Sequence, residues 1–334
     1  MKRIIWFFLI IISLFLLISC ELLVKAPVKP TVHVLVVALD YQNNTKTDDN
    51  LAGTITDAVE MAAALNQRAS IMQVPMETTM MLQEGSSTTR TDSHYPSRAN
   101  ILAKISQIGS EMAADDLFVV YYSGHGLGSR YDYDNPNRGD IVTAYTGSED
   151  YETITTAEMN QALRESNGRV LLLMDSCYSG HHIQAYPDGY SSWVTLVDGY
   201  DGKIFYLTAA SDTQLSWEND MELSDEVEHK HGEFTYYFLK AIGWNHFKVD
   251  ESSPGDYAQG TFFYSVDGIE DSHPYQGGMN SDGTVPAQRR SFISMYDVQR
   301  YISRALLGEA TLFAIQTTTG TPGPRDVVLF DAAW

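Results

Sequence analysis

The sequence predicts an α/β fold, a three-layer sandwich in which a mostly parallel central sheet is flanked by helices. Two apolar runs carry most of that inference. Leu117-Phe118-Val119-Val120-Tyr121-Tyr122 ends at Ser123-Gly124-His125-Gly126, and Val170-Leu171-Leu172-Leu173-Met174 ends at Asp175-Ser176-Cys177-Tyr178-Ser179-Gly180. Both are short for helices and lack strict alternation, as expected of strands buried on both faces. Periodicity alone does not separate such runs from buried helix; their β-prone residues and glycine ends favour strands. The third observation is that stretches with helical spacing alternate with the strand-like runs, the pattern of a parallel sheet covered on both sides.

In chain order, Val32-His33-Val34-Leu35-Val36-Val37-Ala38-Leu39 reads as a first, central strand. Residues 56–68 have helical character, with Ala58, Met61, Ala62 and Leu65 at positions i, i+3, i+4 and i+7. Residues 97–114 form a second helix with Ile101, Ile105, Ile108 and Met112 on one face. A polar loop over 128–150 precedes a third helix, which starts at Thr155-Thr156-Ala157-Glu158 in capping-box form. Beyond Cys177, residues 203–208 read as a strand and 234–244 as a helix; 248–290, dense in Gly, Asp, Ser and Pro, reads as a surface insertion. A last helix over 296–307 and apolar runs at 311–315 and 327–330 complete the pattern.

The 334 residues hold 43 acidic and 22 basic side chains, a net charge of −21. Nucleic acid and anionic lipid surfaces are poor partners for such a field; it suits cationic peptides, though charge alone favours simple solubility. The first nineteen residues differ from the rest. Lys2-Arg3 precedes an apolar stretch from Ile4 to Leu17, interrupted only by Ser13, then Ile18-Ser19-Cys20. This is a secretory signal, marginal in length for a spanning helix. Leu17-Ile18-Ser19-Cys20 resembles the bacterial lipobox, which implies cleavage before Cys20 and lipid attachment to it. The expected organisation is a signal peptide at 1–19, a lipidated tether at 20–30 and one domain over 31–334, exported and held on a membrane at the periplasmic face or cell surface. Loss of Lys2 and Arg3 would take the net charge from −21 to −23.

With Cys20 so used, Cys177 is the sole thiol left of two, and an unpaired cysteine in an exported protein reads as a reactive thiol. A cysteine protease needs a thiolate, an imidazole that takes its proton and returns it to the leaving amine, and backbone N–H groups for the oxyanion. Cys177 and His125 supply the first two if their strands are neighbours, and the amides of Gly126 and Cys177 the third.

At these residues the chain resembles the caspase-like peptidases, specifically the metacaspase and bacterial caspase-homologue branch. Tyr-Tyr-Ser-Gly-His-Gly at 121–126 and Asp-Ser-Cys-Tyr-Ser-Gly at 175–180 match the family's His and Cys blocks, with His125 and Cys177 52 positions apart. Leu51-Ala52-Gly53 with Asp57-Ala58, Leu207-Thr208-Ala209-Ala210-Ser211 and Gly232-Glu233-Phe234-Thr235 add supporting matches. The resemblance covers about 32–330 and implies a caspase-like fold, cysteine endopeptidase activity and a peptide or protein substrate. It also implies a P1 pocket built from Asp57, Ser123 and Asp175. Carboxylates there would repel an acidic P1 side chain and attract Arg or Lys, Arg the more because its guanidinium pairs bidentately.

Competing readings stand beside these. Asp57 also fits a helix-start carboxylate favoured by the helix dipole, and Asp175 an exposed strand-end acid. No cofactor is required; calcium, common in the family, has candidate ligands in Asp132, Asp134 and Asp140, which fit solvated loop acids as well. His181 and His182 pose a zinc alternative without clustered partners. Between Arg169 and Lys203 there is no basic residue, so a basic-specific enzyme would not cut itself just after Cys177 and would stay a single chain. The functional alternative is a catalytically silent caspase-like lipoprotein that binds peptides or partner proteins.

Overall fold

The structure is a computed structural model describing residues 29–43, 50–86, 92–129, 135–147, 152–184, 203–223, 227–242, 244, 292–295, 298, 299, 302, 319, 320 and 328–331. Signal 1–19 with Cys20, all of the tether but its last two residues, insertion 248–290 and the apolar run 311–315 lie outside the described residues. Of the expected last helix, only 298, 299 and 302 are described.

The main sheet has six strands in the order β11-β7-β6-β3-β1-β2. These are β1 (Val32–Leu39), β2 (Met76–Gln83), β3 (Leu117–Ser123), β6 (Arg169–Asp175), β7 (Ile204–Thr208) and β11 (Thr319–Gly320). Five run parallel; β11 joins the β7 edge antiparallel. The expected α/β sandwich is therefore what forms, with β3 and β6 at its centre and β1 one strand from the edge. Every residue of β3 is buried, as is every residue of β6 after Arg169.

Helices cover both faces. One face of β3 and β6, Val119, Tyr121, Leu171 and Leu173, packs on α1 (Thr54–Met72) and α5 (Glu233–Ala241). The other, Phe118, Val120, Val170, Leu172 and Met174, packs on α2 (Arg98–Glu111) and α3 (Thr156–Arg164). The period-2 alternation of a strand thus feeds two cores. The expected inward faces are the observed ones: Ala58, Met61 and Leu65 on α1 and Ile101 and Ile105 on α2 have no exposed surface. Each buried Leu, Ile or Met contributes about 1.5–3 kcal/mol. At the start of α2 the Ser97 side chain accepts from the Asn100 N–H, and Thr155 with Glu158 forms the anticipated capping box of α3.

The main departures are strands that composition hides. β2, Met-Glu-Thr-Thr-Met-Met-Leu-Gln, is a partly exposed edge strand without a strong apolar signal. The expected polar loop contains β4 (Ile141–Val142), which pairs with β5 (Thr153–Ile154) just past the loop's end. After the sheet, β8 (Glu218–Leu223) and β9 (Val227–Gly232) form an antiparallel hairpin. β10 (Phe292–Ser294) pairs with β12 (Val328–Asp331). Among the described residues, no helix is long and apolar enough to cross a membrane.

Candidate active site

Parallel pairing of β3 with β6 decides what meets at the carboxyl edge of the sheet. Their register runs from Leu117↔Arg169 to Ser123↔Asp175, and the Gly124 N–H extends it by donating to the Asp175 carbonyl at 3.2 Å. His125 and Cys177 each stand two positions past the last paired residues, on adjacent strand ends. The two chains then touch: a Cβ built on Gly126 would lie 2.1 Å from the Cys177 carbonyl oxygen. Only a residue without a side chain allows that approach.

After Cys177 the chain turns sharply, with Tyr178 in the left-handed region at φ 56° and α4 (His181–Gln184) following. A bulky residue there is a local strain of the kind found at functional turns. The Cys177 thiol is partly buried and donates to the Ser216 carbonyl, 3.7 Å away. Burial pushes its pKa up, and the Asp175 carboxylate adds to the rise.

His125 is held by its backbone. Its N–H donates to the Tyr41 hydroxyl at 2.9 Å, and its carbonyl accepts from the Tyr122 hydroxyl at 2.8 Å and the Val142 N–H at 3.0 Å. Around the Gly126–Ile141 bridge, the His125 carbonyl and Leu127 N–H face β4. Strand alternation therefore turns the Gly126 N–H the other way.

The expected pocket residues gather beside this turn. Asp57, in the first turn of α1, has no exposed surface; Ser123 is 2% and Asp175 6% exposed. Asp57 Oδ1 lies 2.8 Å from His231 Nδ1, and its Oδ2 accepts from the Gly232 N–H at 2.9 Å. Asp57 thus turns to the end of β9, which departs from a simple helix-start role. Asp175 Oδ1 accepts from Ser216 Oγ at 2.8 Å; its Oδ2 accepts from Thr235 Oγ1 at 2.7 Å and the Thr235 N–H at 3.1 Å. Asp175 is therefore buried, unlike an exposed strand-end acid. Both carboxylates converge on Gly232, where a Cβ would lie 2.1 Å from Asp175 Oδ2 and 3.1 Å from Asp57 Oδ2. Ser123 ends β3 two residues after Tyr121, whose hydroxyl meets Thr235 Oγ1 at 2.7 Å.

Glu218 completes the acidic group, accepting from the N–H groups of Ala52 (3.1 Å) and Gly53 (3.2 Å) just ahead of α1. Burial raises the pKa of all three acids; Asp175 pushes Asp57 and Glu218 up further, while Thr235 and Ser216 restrain Asp175. Burial lowers that of His231, opposed by the surrounding carboxylates. Among the described residues, no Lys or Arg forms an ion pair with Asp57 or Asp175. Buried carboxyls such as Asp57 and Asp175, with no Lys or Arg ion pair among the described residues, are chemically fitted to a cationic group.

Residues 33–186 match the family model for the metacaspase, peptidase C14 domain. Over that stretch the chain is similar to metacaspase-type peptidase domains. The metacaspase match takes in Asp57, Ser123, His125, Gly126, Asp175 and Cys177, and stops before β7. Among solved structures, the chain is similar to protein GSU0716 from Geobacter sulfurreducens, a structural genomics target. The two are 17% identical with a TM-score of 0.48, over 88% of this chain and 96% of that chain. No curated protein matches the sequence.

Of the calcium candidates, Asp132 and Asp134 lie outside the described residues. Asp140 is buried and turned to the start of α3, where its Oδ1 accepts from the Thr156 N–H at 3.1 Å. His182 is also buried, with Nε2 donating to the Gly139 carbonyl at 2.9 Å. Among the described residues, no group of three His, Cys, Asp or Glu is arranged to hold a metal. Sequence reasoning missed Tyr41, Ser216, His231 and the bond from Thr235 to Asp175. One signal was present: His231 immediately precedes the Gly232-Glu233-Phe234-Thr235 block.

Proposed function

We propose that the protein is a cysteine endopeptidase that cleaves after Arg and Lys, with Cys177 as nucleophile and His125 as general base and then acid. The observation that carries the reading is the convergence of Asp57 and Asp175, buried and without a Lys or Arg partner among the described residues, beside the turn that bears Cys177.

The chemistry follows from the residues. A thiol raised by burial rests protonated, so attack requires His125 to take the sulfur's proton as the S–C bond forms at the scissile carbonyl. The carbonyl oxygen becomes an oxyanion facing the N–H groups of Gly126 and Cys177. Collapse breaks the C–N bond, and the imidazolium proton goes to the departing amine. Water, deprotonated by His125, then hydrolyses the thioester and returns the thiol.

A P1 guanidinium entering between Asp57, Ser123 and Asp175 would exchange the Ser216 hydroxyl for a charge-assisted bond to Asp175. The reaction needs no cofactor. Calcium, if bound through Asp132, Asp134 and Asp140, would act outside these steps. We further propose export and lipidation at Cys20, so that the domain works on peptide or protein substrates at a membrane surface, without nucleic acid. Palmitate labelling of wild type but not of Cys20→Ala tests this second part.

The activity test assays peptides with Arg, Lys and Asp at P1 against wild type and Cys177→Ala. Cleavage of the basic substrates that depends on Cys177 is the expected result; equal rates in the two proteins, or preference for Asp, would reject the proposal.

A further inference from the structure

We propose that Tyr41 is the positioning residue of the His125 imidazole, holding it from the end of β1 at both its backbone and its ring. The inference rests on His125 as general base and adds a residue that the metacaspase blocks at 121–126 and 175–180 do not contain.

The contacts are two and independent. The Tyr41 hydroxyl accepts the His125 N–H at 2.9 Å. The Tyr41 ring lies against the imidazole, with ring centroids 4.6 Å apart and planes tilted by 31°. One fixes where the His125 backbone sits; the other provides a flat wall against the imidazole.

Tyr41 is itself locked. It is 1% exposed and occupies the left-handed region at φ 59°, which a bulky residue adopts only when its surroundings impose it. Those surroundings are identifiable. The Tyr41 N–H donates to Gln83 Oε1 at 2.7 Å. Gln83 Nε2 donates to Asp40 Oδ1 at 2.7 Å, and Asp40 Oδ2 accepts the Gly85 N–H. The ends of β1 and β2 are thereby fastened in the one backbone shape that aims Tyr41 at β3.

At its far end, the Tyr41 hydroxyl is 3.0 Å from both the Tyr122 hydroxyl and the Val142 carbonyl. With its proton given to Val142, its lone pairs face His125. Gly124 makes room for this pair of hydroxyls, since a Cβ there would lie 2.6 Å from each. The first glycine of Ser123-Gly124-His125-Gly126 thus admits the clamp, and the second admits Cys177.

A residue that only fills space would change how much protein folds; one that aims the base changes the rate per folded molecule. The test therefore measures kcat per Cys177 titrated with an Arg-chloromethylketone, in wild type, Tyr41→Phe and Tyr41→Leu. Tyr41→Phe keeps the ring and loses the amide bond; Tyr41→Leu loses both. We expect kcat per titrated site to fall about tenfold and about a hundredfold respectively, with KM within about twofold of wild type. Should either variant fail to fold, Gln83→Met, which loosens Tyr41 without touching the dyad, is expected to lower kcat in the same sense. Unchanged kcat per titrated site in every folded variant, or a loss accounted for entirely by fewer titrated sites, would overturn the proposal. A wild type that neither cleaves nor titrates would instead overturn the peptidase reading beneath it.

Discussion

The α-carbon of Gly126 rests on the carbonyl group of Cys177, where an added methyl would lie 2.1 Å from the oxygen and 3.1 Å from the carbon. Both are backbone atoms, so no side-chain rotation relieves the clash, and the ends of β3 and β6 must part. Gly126→Ala is expected to cost about 1–3 kcal/mol in stability and to lower kcat at least about a hundredfold. Gly109→Ala is the control: its methyl would meet Ser166 Oγ at 2.5 Å, on α2 and away from the dyad. It should lower the melting temperature and leave kcat alone.

Asp57 and Asp175 are nearly isosteric with Asn, so their substitution removes charge while largely keeping shape. Each single change is expected to reduce kcat/KM for an Arg substrate about a hundredfold, the scale of losing one partner of a buried charge pair. Peptides with a neutral P1 residue should change far less. Equal loss on both substrate types would mean that the carboxylates hold the fold and do not select the substrate.

Substrate charge should also activate the nucleophile. After burial itself, the Asp175 carboxylate is the group that keeps the Cys177 thiol protonated. A guanidinium beside Asp175 cancels that field and lets the thiol pKa fall toward its ordinary value, so more thiolate is present at neutral pH. Methylguanidinium at millimolar concentration is expected to speed alkylation of Cys177 by iodoacetamide several-fold. In Asp175→Asn the rate without methylguanidinium should already match the raised wild-type rate, and the response should be absent. Slower alkylation of wild type, as expected from simple blocking, would count against this coupling.

How much of this was legible in the sequence depended on how locally each feature is encoded. The central strands were readable because each carries its own apolar run, as β3 does in Leu117-Phe118-Val119-Val120-Tyr121-Tyr122, and the helices because Ala58, Met61 and Leu65 repeat at helical spacing. β2 was not, since an edge strand needs only a partly buried face and Met-Glu-Thr-Thr-Met-Met-Leu-Gln offers no clean alternation. In the site, Asp57 and Asp175 stood out through the resemblance. Their partners did not: Ser216, His231 and Thr235 reach them across 41, 174 and 60 positions of chain, distances over which a single sequence carries no pairing signal. Tyr41 escaped for a further reason. Its contact with His125 depends on a left-handed φ that the residue type argues against.

The fold's response to acid should be governed in good part by His182. It is buried, and burial takes its pKa down from 6.5 to about 4. A base whose folded pKa is depressed binds its proton more readily in the unfolded chain, so its stabilisation is present above pH 6.5 and is lost as pH falls toward about 4. At 1.36 kcal/mol per unit, that loss amounts to about 3 kcal/mol. Asp57, Asp175 and Glu218 act in the opposite sense: raised by burial, they favour the fold when protonated and lose that contribution as pH rises through their folded values. His182→Gln keeps a donor for the Gly139 carbonyl and removes the titration. Denaturant unfolding between pH 4.5 and 7 is expected to show a loss of stability on acidification that is smaller in His182→Gln than in wild type by about that amount. Parallel profiles would mean that the histidine gains solvent before the fold does, and that its burial is not what acid must overcome.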